Sequence, residues 1–205
     1  MTPELPPIPE LDYQLVMGAL EGYAAPRKAL HDLPARGKLT RVKKGVYVQS
    51  GRGIPLYSRE VLANMIYGPS YLSYESALSE HGLIPERVEA LTSATTGKTR
   101  IFTTPLGTFT YVHQNTAYYS LGFARRPVDE TRGYLLADPE KALADRVLRE
   151  RGRFSIRSMG EFLFENLRIE PDDFRNLDEA LLELLAGRCR KRSLQVLNRL
   201  RRKIA

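Results

Sequence analysis

Gly37-Lys38-Leu39-Thr40-Arg41-Val42-Lys43-Lys44-Gly45-Val46-Tyr47-Val48 sets apolar and cationic residues on either side of one glycine. Leu39, Val42, Val46 and Val48 supply the apolar positions, and Arg41, Lys43 and Lys44 crowd Gly45, so the segment reads as a β-hairpin with a basic tip. Just upstream, Pro26 stands where a helix would begin, with Ala29, Leu30 and Leu33 on one face and Arg27, Lys28 and His31 outside it. Pro34 places the end of that helix between residues 33 and 36. Before it, Asp12 is the expected N-cap of a first short helix. Leu11, Leu15, Val16, Ala19 and Leu20 recur there at helical spacing up to Gly22. Met1 to Pro9 holds four prolines and reads as an extended or poorly ordered arm.

Two short helices followed by a basic hairpin is the outline of a winged helix-turn-helix. In that arrangement the second helix enters the major groove and the hairpin lies against the backbone or the minor groove. The expected DNA contacts are Arg27, Lys28, His31, Arg36, Lys38, Arg41, Lys43 and Lys44. An ordinary surface hairpin satisfies the same pattern, so the charge distribution matters. The chain of 205 residues has a net charge of +7. Between Arg27 and Lys44 seven cations face only Asp32. From Leu184 to the end Arg188, Arg190, Lys191, Arg192, Arg199, Arg201, Arg202 and Lys203 meet no acid. Everything else is therefore acidic in balance. Two concentrated basic segments are the footprint of a polyanion partner, because each neutralised phosphate releases counterions.

The Gly/Pro/Arg-rich stretch Gly51 to Pro55 marks a linker, which divides the chain into a DNA-binding unit over 10–50 and a body over 56–205. In the body, Ser58 caps a helix bearing Val61, Leu62, Met65 and Ile66, and a second helix runs from Tyr74 to Glu80 with Gly82 as its stop. From Val88 to Gln114 the composition turns β-like, broken at Gly97-Lys98 and Pro105-Leu106-Gly107, which suggests an antiparallel meander of three strands. Tyr118 to Phe123 and Gly133 to Leu136 would add two more. Asp138 and Pro139 then open a helix. The last third is helical, with stripes at Met159 to Leu167, Leu177 to Leu185 and Leu194 to Ile204, and the acidic first part can pair with the basic tail. The expected fold class is α+β: an N-terminal winged helix-turn-helix, a mixed α/β body over 56–150 with antiparallel strands, and a helical subdomain over 155–205.

The same hairpin, Gly37 to Val48, resembles the wing of AbiEi-family antitoxins, of the form G-x-L-x-R-x-x-x-G-x-Y. Three later stretches are similar to that family in the same order: Ser70 to Leu78 followed by His81-Gly82-Leu83-Ile84, Phe102 to Tyr111, and Ala137-Asp138-Pro139-Glu140-Lys141-Ala142-Leu143-Ala144-Asp145. Together they span roughly residues 37–148. The resemblance implies the antitoxin of a bacterial abortive-infection toxin–antitoxin system acting in phage defence. Such a protein represses its own operon through operator DNA and counteracts a nucleotidyltransferase-like toxin, by contact with the toxin or with its nucleic-acid target. The family's helical region before the wing is longer than the one here, which also contains Pro34.

Other chemistries find less in the sequence. Asp138, Glu140 and Lys141 invite a metal-dependent nucleic-acid-processing enzyme, but Glu140 and Lys141 are adjacent on a helix, and Lys141 with Asp145 forms an i, i+4 pair. His31, His81 and His113 lie in separate elements without ligand spacing, His81 being placed to cap a helix C-terminus, so neither a metal nor a cofactor is expected. Cys189, the single cysteine, sits among cations that would lower a thiol pKa. Residues 101–123 carry no charge but are rich in Thr, Gly and Pro, so no membrane span is expected. Met1 to Pro9 has no basic n-region and no apolar h-region, which makes the expected location cytoplasmic. A non-enzymatic DNA-binding antitoxin is the leading expectation. The alternatives are the metal-dependent enzyme and an interaction protein that acts through its basic C-terminus without binding DNA.

Overall fold

In the computed structural model, which describes residues 4–35 and 37–204, the chain enters through a strand before its first helix. β1 (Glu10–Asp12) runs directly into α1 (Tyr13–Ala19), whose N-cap is Asp12, accepting from the Leu15 amide at 2.8 Å. Because the helix starts only at Tyr13, the expected stripe is corrected: Leu11 belongs to β1, Leu15 is 42% exposed, and Val16 and Leu20 point inward. α2 (Pro26–Ala35) keeps Pro34 in its final turn, where little of the helical ladder is lost. The turn closes through Gly37 N–H to Pro34 O at 3.0 Å and Lys38 N–H to Leu33 O at 3.1 Å, with Gly37 at φ +68. The described part of the proline-rich arm, from residue 4 to residue 9, is irregular and held in place, since the Gln49 amide donates to Pro6 O and Ile8 O.

The hairpin forms as expected from β2 (Thr40–Lys43) and β3 (Val46–Val48), with Gly45 at φ +87 in the turn. β3 is the middle strand of a three-stranded antiparallel sheet, flanked by β1 and β2. All of β3 is buried. Tyr47 packs with Leu11, Val16, Leu20, Leu30, Leu33 and Leu39 in a small core, while Val46 and Val48 join the main core of the body. The sheet is thus a layer shared by two apolar clusters. Between Arg41 and Lys43 the register advances two residues on β2 for one on β3. This bulge re-aims the following side chain.

Gln49 to Tyr57, which includes the expected linker Gly51 to Pro55, contains no helix or strand, and the segments on its two sides are fastened together. Glu10 accepts from Arg132 Nη1 at 3.0 Å and from the Ser58 amide at 2.5 Å, and both carboxylate and guanidinium are nearly buried. The body begins with α3 (Arg59–Ile66), capped by Ser58. It continues with β4 (Ser70–Leu72), α4 (Tyr74–Glu80), β5 (Leu91–Thr95), β6 (Arg100–Thr104), β7 (Gly107–His113), α5 (Thr116–Tyr119), β8 (Phe123–Pro127), β9 (Gly133–Ala137) and α6 (Pro139–Arg149). The six strands form one mixed sheet in the order β6-β7-β5-β4-β9-β8.

Two expectations are corrected here. β6 and β7 form the hairpin read from Pro105-Leu106-Gly107, but β7 returns beside β5 in parallel, so the three strands are not a meander. Tyr118 lies in α5, and the strand starts at Phe123, after the Asn115 side chain caps that short helix. The C-terminal third is helical: α7 (Ile156–Gly160) continuing as a π-helical turn over 161–166, then α8 (Pro171–Arg175), α9 (Glu179–Cys189) and α10 (Arg192–Ile204). α8 follows Glu170 with Pro171 in its first turn and was not apparent as a separate element. The architecture is mixed α+β. Among the described residues no helix is long and apolar enough to cross a membrane.

Candidate nucleic-acid interface

α2 presents its cations because Leu30 and Leu33 hold its inner face against the small core. Arg27, Lys28 and His31 all lie exposed on the outer side. Opposite them is the tip of the hairpin. Between the two lies a cleft of about 620 Å³ floored by Tyr13, Leu30, Pro34 and Tyr47. Arg27 and His31 flank it from α2, and Arg41 and Lys44 from the hairpin. Among the described residues no carboxylate lines it. Gly45 stands at the tip at a φ of +87, which suits glycine, and a Cβ there would make only ordinary contact with Tyr13 Cβ, at 3.8 Å.

Four of the eight expected contact residues therefore converge on one concave surface. Lys28 and Lys38 are exposed outside the cleft, and Arg36 lies outside the described residues. Lys43 is a correction. Arg41 pairs with Tyr47, whose side chain faces the small core, whereas after the bulge Lys43 pairs with Val46, which faces the body. Its ammonium donates to Ile66 O and stands 5.0 Å from the centre of the Phe102 ring. Burial, and next the charge of Arg100, lower its pKa. This lysine docks the hairpin on the body. Tyr13, Pro34 and Tyr47 contribute the apolar floor and were not singled out as site residues; the only signal for Tyr13 was its place directly after the Asp12 cap.

The C-terminal basic segment divides in a similar way. Arg202 pairs with Glu179 and Glu183 of α9, and Arg201 donates to the carbonyls of Arg175 and Leu177. Those two are consumed internally, as the neighbouring acidic helices allow. Arg188, Arg190, Lys191, Arg192, Arg199 and Lys203 remain exposed.

Asp138, Glu140 and Lys141 do not act on a common point. Asp138 occupies the N-cap position of α6 without a side-chain capping bond, and Glu140 is buried, accepting from the Asp178 amide at 2.7 Å. Lys141 is fully buried: its ammonium lies 3.3 Å from Asp145 Oδ1, donates to Tyr118 O at 3.0 Å and sits over the Tyr118 ring. The i, i+4 pair exists, but in the interior instead of on a solvated face. Asp145 also accepts from Ser73 Oγ at 2.6 Å and Tyr71 Oη at 3.2 Å. Burial raises the Asp145 pKa and depresses that of Lys141 to about 8. His81 is the C-cap residue of α4, as expected, its backbone N–H donating to Ala77 O, while its Nε2 reaches across to Ala137 O at 2.8 Å. His113 Nδ1 bonds Gly97 O. Among the described residues no three His, Cys, Asp or Glu side chains gather as a metal site. Burial raises the Cys189 pKa and outweighs the neighbouring lysines, the reverse of the expected shift.

No protein-family model matches this chain, and no curated protein matches it.

Proposed function

We propose that the protein binds duplex DNA through the cleft between α2 and the β2–β3 tip, as an autorepressor that also serves as the antitoxin of an abortive-infection system. The observation that carries the DNA-binding reading is the convergence of Arg27, His31, Arg41 and Lys44 on one concave surface that no carboxylate lines among the described residues. An exposed helix face with long cations suits the major groove, and a hairpin tip bearing Arg41 and Lys44 suits the phosphates beside it. The order β1-α1-α2-β2-β3, with β3 central, fits a winged helix-turn-helix in which β1 ties the helices to the wing.

The antitoxin half rests on the resemblance. Its three later stretches lie together in the body: Ser73 bonds Asp145, His81 bonds Ala137 O, and Phe109 and Tyr111 share one hydrophobic core with Tyr71, Leu72 and Ala137. They build the scaffold, and the partner surface would lie outside them. The proposed partners are operator DNA and a nucleotidyltransferase-like toxin or its nucleic-acid target.

The test combines a gel shift with co-expression. The full chain is expected to bind its own promoter duplex more tightly than an unrelated duplex of equal length, and to restore growth of cells expressing the neighbouring toxin gene. Equal affinity for both duplexes rejects the repressor reading, and no rescue by a folded chain rejects the antitoxin reading.

A further inference from the structure

A separate cavity of about 420 Å³ opens where the segment after β7, the end of α6 and the α9–α10 corner meet. Its volume falls in the range of small-molecule sites, roughly 300–1,000 Å³. Gln114 and Asn115 form one wall, Tyr118 of α5 another, and Arg188, Cys189 and Lys191 the third. It shares no residue with the DNA cleft.

Its polar groups are oriented by the structure behind them. Gln114 Nε2 donates to Tyr74 Oη at 2.8 Å and to Asp145 Oδ1 at 3.4 Å. A carboxylate only accepts, so this fixes which end of the amide is nitrogen and leaves Oε1 as an acceptor for a ligand. Asn115 Oδ1 is taken by the Ala117 amide at 3.0 Å, which leaves Nδ2 as a donor. An acceptor and a donor thus stand on consecutive residues. Tyr118 is held in place by the Lys141 ammonium, 3.0 Å from its ring centre. Its buried hydroxyl lies near Asp145 without the geometry of a hydrogen bond. Lys141 and Asp145 offset each other, so the charge of the cavity comes from Arg188 and Lys191. Both are exposed, and among the described residues neither has a carboxylate partner.

A paired donor and acceptor suits the hydrogen-bonding edge of a nucleobase. Tyr118, 2% exposed with Lys141 over its ring, only backs the pair, and the half-buried Leu148 supplies apolar lining. Two unpaired cations suit a phosphate monoester, which carries a charge of roughly −1.5 to −2 near neutral pH. The geometry points to a mononucleotide site in this cavity, with the base edge against Gln114 and Asn115 beside Leu148 and the phosphate held by Arg188 and Lys191. Part of the C-terminal basic segment then serves a small ligand and does not act as a flat polyanion surface.

Cys189 is the chain's single cysteine and lines the cavity, so its alkylation by iodoacetamide reports occupancy in the full-length protein. The probes are AMP, GMP, CMP, UMP and inorganic phosphate, each at millimolar concentration, read as the ratio of alkylation rates with and without the probe. At least one nucleotide is expected to slow alkylation several-fold while inorganic phosphate at equal concentration does not. Charge-assisted bonds of this kind are each worth about tenfold or more in affinity, so Arg188→Gln with Lys191→Gln raises the nucleotide concentration that gives half-maximal protection at least about tenfold. The unfolding midpoint of that double variant, which alters only exposed side chains, stays at the wild-type value. Arg41→Ala with Lys44→Ala leaves the protection unchanged, so failure of the DNA-binding reading is scored separately. The proposal is overturned if no nucleotide protects, if inorganic phosphate protects equally well, or if the Arg188 and Lys191 variant is protected like wild type.

Discussion

Replacing Lys141 with Met removes the positive member of an ion pair with no access to solvent. Both side chains are 0% exposed, and Nζ lies 3.3 Å from Asp145 Oδ1. Met keeps most of the side-chain volume, so lost packing contributes little. What remains is a carboxylate stranded in the interior, for which a loss of about 3–5 kcal/mol is expected. Ser73, Tyr71 and Gln114 still donate to Asp145, which places the expected loss at the lower end, about 3 kcal/mol. Out of a typical total of roughly 5–15 kcal/mol, that is easily measured.

The variant also acquires a pH signature. Burial already raises the Asp145 pKa, and losing Lys141 raises it further. An acid whose folded pKa lies above its unfolded value of about 3.9 binds more protons in the folded state. Stability therefore falls as pH rises from about 4 to the folded pKa, by up to about 1.4 kcal/mol per pH unit. In the wild type, Lys141 is depressed to about 8 from 10.5, so its charged form is disfavoured in the folded state. That penalty is fully present below pH 8 and is relieved as pH rises from there towards 10.5. Urea unfolding followed by circular dichroism, at about pH 5 and 8 for the variant and at about pH 8 and 10 for the wild type, reads the two effects. Adding Asp145→Asn to Lys141→Met is expected to restore most of the loss. A loss under about 1 kcal/mol at both pH values, with no difference between them, would refute the reasoning.

Arg132→Ala unfastens the N-terminal sheet from the body by leaving Glu10 with only the Ser58 amide, at an expected cost of about 2–3 kcal/mol. Hydrogen exchange should show amides of β1 and β3 opening before those of β4 and β5. Gly122→Ala meets two obstacles, a φ of +67 and a Cβ that would stand 2.9 Å from Lys141 Cβ. The left-handed conformation alone costs roughly 1–2 kcal/mol, and thermal unfolding should show a loss larger than that because the buried lysine must also shift.

The legible parts of this fold are those written locally. Asp12 and Ser58 as caps, Gly45 at the hairpin turn and Pro139 at the start of α6 each follow from backbone chemistry within four residues. What escaped depends on distant partners. Glu10-Leu11-Asp12 is too short to show a period and becomes a strand only because β3 offers an edge. β7 pairs with β5 in parallel although β6 lies between them in sequence, a choice that no turn signal encodes. Lys141 and Asp145 have the spacing of a surface pair, and their burial comes from Tyr71, Ser73 and Tyr118 closing over α6. In the cleft, Arg41 and Lys44 were legible, while strict alternation put Lys43 on the same face as Arg41. The bulge between them breaks that alternation.

Lys43 and Lys44 therefore provide the sharpest test of DNA binding. The measurement is the affinity for the promoter duplex by fluorescence anisotropy over a range of salt concentrations. Lys44→Ala is expected to weaken binding and to reduce the slope of log affinity against log salt by about one contact. Lys43→Ala should leave that slope unchanged and lower the unfolding midpoint, because its ammonium is held by Ile66 O. A salt slope that falls for Lys43→Ala and stays constant for Lys44→Ala, or that responds to neither, would contradict the assignment of this cleft.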